Sequence, residues 1–423
     1  MKRKWLYFFI FILSFTACLD DPEMTEGIVN GKEKPTVTTK SIEYPFTEDG
    51  NLLFCGEIES EGKGKIIKCG FYWSTSTNNP LGNDNPPIFS DAKDGVFSCE
   101  LNNIVGENTY YWRAFAYNEF GYDFGEVRTF EVPKIFEPKA SLNTVYPRWR
   151  GVVFTIDNKI HITGGEKGGG TLTNENWQYS ISSNNWLQVS DFIGEERIFP
   201  AVFSIGNYAY VGTGRGIGQF FNDFYRYDGT TDKWVKISVP DNLEARYNAT
   251  AFSLNEKGFL VGGYSPRFGS LNEVWQYDPV KDSWESKKGF PINLFGGISI
   301  SNNKRSFVGF SETGDNRRTL WEYNDKNDEW TEFATLPNEA GNIIYSGAIV
   351  HDVIYLLDDH HCIWALKISD KTWTRKSDLP IEFLDDYGAS GKQYLLTTGN
   401  SNSIYVGLGY TRLLYEYRPL WDN

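Results

Sequence analysis

Cysteine, histidine and amphipathic helix are all scarce in this chain, and each shortage removes a class of answer. The 423 residues hold 5 Cys and 4 His. Cys55, Cys69 and Cys99 fall in one stretch, and an odd trio cannot be fully paired. Strand alternation puts Cys99 inward and Cys55 outward, so free thiols are expected. The histidines, His161, His351, His360 and His361, form no spaced ligand set. Adjacent His360 and His361 in an extended segment point to opposite sides and do not serve one metal ion. There is no G-x-S-x-G, phosphate loop, C-x-x-C or Ser-His-Asp order. Hardly any 3.6-residue periodicity occurs, so little helix is expected. The apolar run Trp5 to Phe15 is eleven residues, too short to span a bilayer. Positive charge is also short: 41 Lys and Arg face 55 Asp and Glu, a net charge of −14. That balance argues against nucleic acid and against direct binding to anionic lipid.

What the chain does have is glycine, 41 residues, and aromatic side chains, 16% of the whole. Over about residues 140–423 they recur with a period. Trp186, Trp234, Trp284, Trp330 and Trp373 lie 48, 50, 46 and 43 residues apart. Seven residues before each stands Tyr179, Tyr227, Tyr277, Tyr323 or Leu366, with a turn rich in Asp, Asn, Ser and Gly between, as a hairpin requires. Upstream lies a two-residue glycine step, Gly164–Gly165, Thr213–Gly214 and Gly262–Gly263, decaying to Gly309–Phe310 and Asp358–Asp359. A period of 40 to 50 residues built from short strands and turns predicts a β-propeller, whose blades bury nothing until they stack. The hydrophobic strand into the glycine step, then Y-D, then W, resembles the kelch repeat, and it occurs six times.

The sixth copy, with Tyr417, places its closing Trp just past the end of the sequence, which leaves Trp421 out of register. Trp186 precedes Arg197 by 11 residues and Trp234 precedes Arg246 by 12, and the step of 12 back from Arg148 leads to Phe136. The segment from Phe136 to Leu142 is therefore expected to supply the outermost strand of the last blade and close the ring.

Residues 1–18 begin with Lys2, Arg3 and Lys4, continue in the apolar run and end Phe15-Thr16-Ala17-Cys18. This resembles the lipobox of bacterial lipoproteins, which implies acylation of Cys18. Residues 19–35 form a polar tether, where Asp20, Asp21 and Glu23 resemble the surface-export signal of lipoproteins of the Bacteroidetes. The resemblance implies an outer-membrane, surface-exposed protein that meets the membrane through its lipid alone. Residues 36–133 read as short strands separated by polar loops. The run YYWRAFAYNEFG followed by FGEVRTF resembles fibronectin type III-like modules of bacterial surface proteins. A spacer is the plainer role for it and a ligand-binding sandwich the alternative. Residues 134–423 are the propeller.

Propellers place functional groups at one mouth of the central channel. Sixteen residues before the first position of the glycine step stand Arg148, Arg197 and Arg246, then Asn293 and Asn342. Three arginines there would form a basic crescent suited to carboxylates or sulfates. In kelch propellers that capture acidic peptides, mouth-facing arginines make such contacts. The plainer reading is that each Arg pairs with Glu195, Glu196, Glu244 or backbone carbonyls and ties blades together. Trp149, Phe199, Tyr247, Phe295, Tyr345 and Tyr387 stand beside them, as rings for stacking on sugars or peptide side chains, or as inter-blade packing. The expected function is a binding module for a glycan or an acidic partner segment, with no cofactor and no metal. The enzymatic alternative resembles bacterial N-acetylneuraminate epimerases, with Glu195, Glu244 and Glu339 as acid–base candidates.

Overall fold

The computed structural model describes residues 33–422 other than 42–46, 48–50, 82–84, 103, 145, 303, 313, 315–316, 381, 383–393, 398–401 and 410. Cys18, the acidic residues after it and Tyr387 thus lie outside the described residues. The chain divides into two compact units: Met1–Thr47 with Asn51–Leu101 and Thr109–Phe130, and Glu131–Asn423 with Glu48–Gly50 and Asn102–Asn108. Among the described residues the regular elements are almost entirely strands, with one 3-10 turn, Pro419–Trp421.

In the smaller unit, one sheet joins Thr36–Thr39, Leu52–Ser60 and Val96–Leu101, and a second joins Ile88–Ser90, Lys68–Ser74, Thr109–Asn118, Gly121–Phe124 and Arg128–Glu131. The inner faces meet through aromatic rings. Phe54 stacks on Trp112 at 5.1 Å, and Phe71 lies 5.6 Å from Phe54 and 5.1 Å from Phe97. On Thr109–Asn118, Tyr110, Trp112, Ala114 and Ala116 are buried while Tyr111, Arg113 and Tyr117 are half-buried. Phe115 departs from this alternation because Tyr72 and Phe89 cover it on the opposite face. Cys99 pairs with buried Phe54, Cys55 pairs with Ser98, and all four described cysteines are free thiols.

The larger unit holds six four-stranded antiparallel sheets. Their innermost strands are Val152–Ile156, Ala201–Ile205, Thr250–Leu254, Ile298–Ser301, Ile344–Val350 and Tyr394–Thr397. Each touches the next, and the last touches the first, so the sheets form a closed ring of blades around a channel. Hydrophobic packing lies between blades. Phe154 of the first meets Tyr227 of the second, and Phe203 and Tyr210 of the second meet Tyr277 of the third.

The repeated Tyr-turn-Trp signature has a direct physical role. Each Tyr hydroxyl donates to the Asn or Asp five residues on: Tyr179 to Asn184 (2.8 Å), Tyr227 to Asp232 (2.9 Å), Tyr277 to Asp282 (2.8 Å) and Tyr323 to Asp328 (2.8 Å). Three of these acceptors take a backbone N–H from the preceding blade, Asn184 from Ala140 (2.8 Å), Asp232 from Ser190 (2.9 Å) and Asp328 from Lys288 (3.0 Å), and Asp282 takes the Ser238 hydroxyl (3.2 Å). Trp Nε1 donates beside them, from Trp234 to Ser190 O and from Trp284 to Ser238 O. The turn therefore fastens each blade to the chain that leaves its predecessor.

The last blade is completed from the other end of the sequence. Phe136–Pro138 pairs with Leu414–Tyr417, with Phe136 opposite Tyr417 and their rings stacked at 4.9 Å. Trp421 lies in the 3-10 turn, and Asp422 takes the place that Asp232 holds in the second blade.

Candidate functional site

Each of the first three blades opens with four residues ahead of its inner strand: Arg148 to Gly151, Arg197 to Pro200 and Arg246 to Ala249. The arginines at the first position do not form the expected crescent. They are 2%, 1% and 0% exposed. Arg148 is ion-paired with Glu175, Arg197 with Asp223, and Arg246 with Glu273 at 2.6 Å. Arg197 Nε donates to Glu195 O (2.8 Å) and Nη1 to Thr213 O (3.1 Å), with the Phe221 ring 4.0 Å from its guanidinium carbon. Arg246 repeats this with Glu244 O (2.9 Å) and Gly262 O (3.1 Å). Burial lowers the Arg148 guanidinium to about 10, which keeps it charged at neutral pH. Arg197 and Arg246 thereby hold the mouth loops of the second and third blades to their glycine steps, while among the described residues Arg148 is held by its ion pair alone.

The second position pairs through its backbone with the residue after the glycine step: Trp149 with Glu166, Ile198 with Arg215 and Tyr247 with Tyr264. The third position has left-handed backbone, φ 57° at Arg150, 54° at Phe199 and 56° at Asn248, a region rare for residues with a Cβ. A chain of bonds between blades holds it there. Phe199 N donates to Arg150 O (2.7 Å), Asn248 N to Phe199 O (3.1 Å), and Gly296 N to Asn248 O (3.2 Å).

In the fourth blade the expected register is one residue off. Gly309 ends its strand opposite Ile298, as Thr163 does opposite Val152, and a Cβ on Gly309 would lie 2.2 Å from Thr319 O. Its glycine is kept for that close approach. Phe310 takes the left-handed position instead, φ 58° against 67° at Gly164. The counterpart of Arg246 is thus Leu294, whose carbonyl accepts from Gly263 N (2.8 Å), while Asn293 is exposed. In the fifth blade Asn342 is exposed, and buried Asp358 ties the loop instead. Its Oδ1 accepts from His360 N (3.0 Å) and Cys362 N (2.9 Å), its Oδ2 from Gly341 N and Trp364 Nε1 (both 2.9 Å).

Inside this hydrogen-bonded rim opens a cavity of about 710 Å³, lined by Arg150, Phe199, Arg215, Tyr247, Asn248, Phe295, Glu312, Tyr345 and Tyr394 among others. Below it the channel continues past Thr155, Ser204, Ser253 and Ser301. Of the expected residues, Tyr247, Phe295 and Tyr345 line the cavity, as does Phe199. Arg148, Trp149, Arg197, Arg246, Asn293 and Asn342 do not. Tyr247 is the hub of an aromatic cluster, with Tyr264, Phe220, Phe295 and Phe199 at 5.6, 5.7, 5.9 and 6.0 Å.

Two arginines reach the cavity, and the sequence reading named neither. Arg150 is bonded to Glu166 Oε2 at 3.0 Å and lies over Phe199. Arg215 lies over Tyr247, 5.3 Å from the ring centroid, with no carboxylate partner among the described residues and no acceptor for its buried Nε. Glu195, Glu244 and Glu339 do not line the cavity; Glu244 accepts from Ser265 Oγ at 2.8 Å and Glu339 is exposed. The carboxylate that does line it is Glu312. No group of three or more His, Cys, Asp or Glu suited to a metal ion occurs among the described residues.

Residues 126–292 match the family model described as the KLHDC2/KLHL20/DRC7 Kelch-repeats domain. Kelch-like protein 15 of Homo sapiens is 27% identical over 212 residues, covering 43% of this chain and 34% of that protein. Kelch-like protein 23 of Homo sapiens is 24% identical over 212 residues, covering 48% and 36%. The chain thus spans about a third of the length of these curated relatives. The solved structure of YjhT superposes with a TM-score of 0.51 at 14% identity, over 65% of this chain and 95% of that one. With six antiparallel blades, the glycine-step mouth and these likenesses together, the larger unit is a kelch-type β-propeller.

Proposed function

We propose that the propeller is a binding module and that its mouth cavity takes an anionic ligand with a flat or apolar face, an anionic glycan or an acidic segment of a partner protein. The observation that carries this is Arg215. A guanidinium on a cavity wall, with no acid among the described residues paired to it, offers a planar fork of donors to a carboxylate or sulfate. The rings around Tyr247 supply the stacking surface beside that charge. The full chain is to be screened on a glycan array and against acidic peptides, and then as Arg215→Ala. Ligand retained by the wild type and lost by the variant, with an unchanged melting temperature, is the expected result; equal binding by both would refute the reading.

We further propose that Cys18 carries a lipid anchor and that the smaller unit spaces the propeller from the membrane, on the strength of the N-terminal motif. Cys18→Ser is expected to abolish lipid labelling and release the protein from membranes. Unchanged partitioning would remove the anchor from the proposal.

A further inference from the structure

A second concavity, sharing no lining residue with the mouth cavity, lies between the first two blades. Its volume is about 360 Å³. Three loops build it: the end of the hairpin Thr171–Leu172, the chain from Ile193 to Glu196, and the loop that follows Arg215. Its walls combine two chemistries. Ile193 is 58% exposed and Ile217 85%, large aliphatic side chains left in water on facing loops. Glu195 and Glu196 are both exposed, and neither is in an ion pair among the described residues. The carboxylates around them are matched: Glu175 to Arg148 and Lys167, Asp223 to Arg197, Glu166 to Arg150. On the same wall, Asn174 donates its amide to Gly194 O at 3.0 Å while its buried Oδ1 has no donor.

We infer that this cleft docks a cationic segment of a partner protein, an arginine or lysine flanked by an aliphatic residue. The charge fixes the class of occupant. Two unmatched carboxylates call for a cation, and an acidic or neutral segment would leave them facing their like or nothing. The isoleucines add the apolar contact that a bare amine or metal ion cannot use. The cleft is of the size that accommodates a side chain or two, not a folded domain. Its preference is opposite in sign to that of the mouth, so the two proposals are separable.

The test uses the full chain and fluorescence anisotropy with three pools of labelled pentapeptides, X-X-Arg-X-X, X-X-Lys-X-X and X-X-Gln-X-X, where X is Ile, Leu, Val, Ala or Ser. The Arg and Lys pools should bind about tenfold more tightly than the Gln pool at low salt, and the advantage should shrink as salt rises. Glu195→Gln with Glu196→Gln should erase that advantage, Ile217→Ser should weaken binding several-fold, and Arg215→Ala should leave it intact. Equal binding of the three pools would overturn the inference. So would retention of the advantage in the double variant, which would reflect only the protein's general negative charge. Loss of binding in Arg215→Ala would place the peptide at the mouth and equally sink the cleft.

Discussion

The guanidinium of Arg215 lies over the ring of Tyr247, the hub of the mouth's aromatic cluster, and the two come from the glycine step of one blade and the start of the next. Each holds the other's orientation: the ring limits where the cation can go, and the cation caps one face of the ring. Tyr247→Ala should therefore weaken ligand binding about as much as Arg215→Ala, with the double variant losing less than the sum. A binding titration of the four proteins measures this. Full additivity would mean the pair does not act as a unit.

Arg246 behaves oppositely. It is fully buried and donates to Glu244 O and Gly262 O. Arg246→Ala strands both carbonyls, a loss of about 3 kcal/mol in chemical denaturation at roughly 1–3 kcal/mol for each buried group left unsatisfied. Its partner Glu273 is partly exposed and is rehydrated, so the loss stays below that of a wholly buried pair. Changing Arg148, Arg197 and Arg246 together to Ala should unfold the propeller instead of merely emptying its mouth.

His161 sets an acid limit. It is fully buried, stacked on Phe154 at 5.0 Å and edge-on to Tyr227 at 5.3 Å. Burial lowers its imidazole to about 4. The fold holds the neutral ring, whereas the unfolded chain takes up a proton near pH 6.5. Stability present above that pH should fall as pH drops toward 4, with a slope of up to about 1.4 kcal/mol per pH unit from this group. His161→Phe should flatten the curve between these limits. An unchanged curve would assign the acid sensitivity to other groups.

The closing strand can be tested by truncation. A chain beginning at Arg148 lacks Phe136 and its ladder with Tyr417, and should aggregate or melt well below one beginning at Pro133. Phe136→Ala within the full chain should cost about 2 kcal/mol, less than the 3–5 of a fully buried Phe because this ring is half-buried.

Blade number and ring closure were legible because they rest on spacing, and spacing survives substitution. The Trp and Tyr positions and the step back to Phe136 needed no knowledge of where a side chain points. The mouth was less legible for that reason. Arg148 and Arg150 differ by two residues, yet the first is sealed against Glu175 and the second faces the cavity. One signal went unread: an Asn-acid pair, Asn174–Glu175, Asn222–Asp223 and Asn272–Glu273, recurs ahead of the third strand and supplies the arginines' partners. Gly309 misled in another way, as a glycine kept for strand contact resembles one kept for a turn.

The ladder that sets Phe136 opposite Tyr417 joins residues 281 positions apart. During synthesis, the first strand of the propeller must wait for Leu414–Tyr417 of the sixth blade before it has a partner. Blades one to five can stack as they emerge, but the ring stays an open arc until the sixth blade arrives. Contacts this distant in sequence are slow to form. Of all segments in the larger unit, the stretch around Phe136 thus spends the longest time as an unclaimed edge, the interval in which a waiting strand can be captured by another chain.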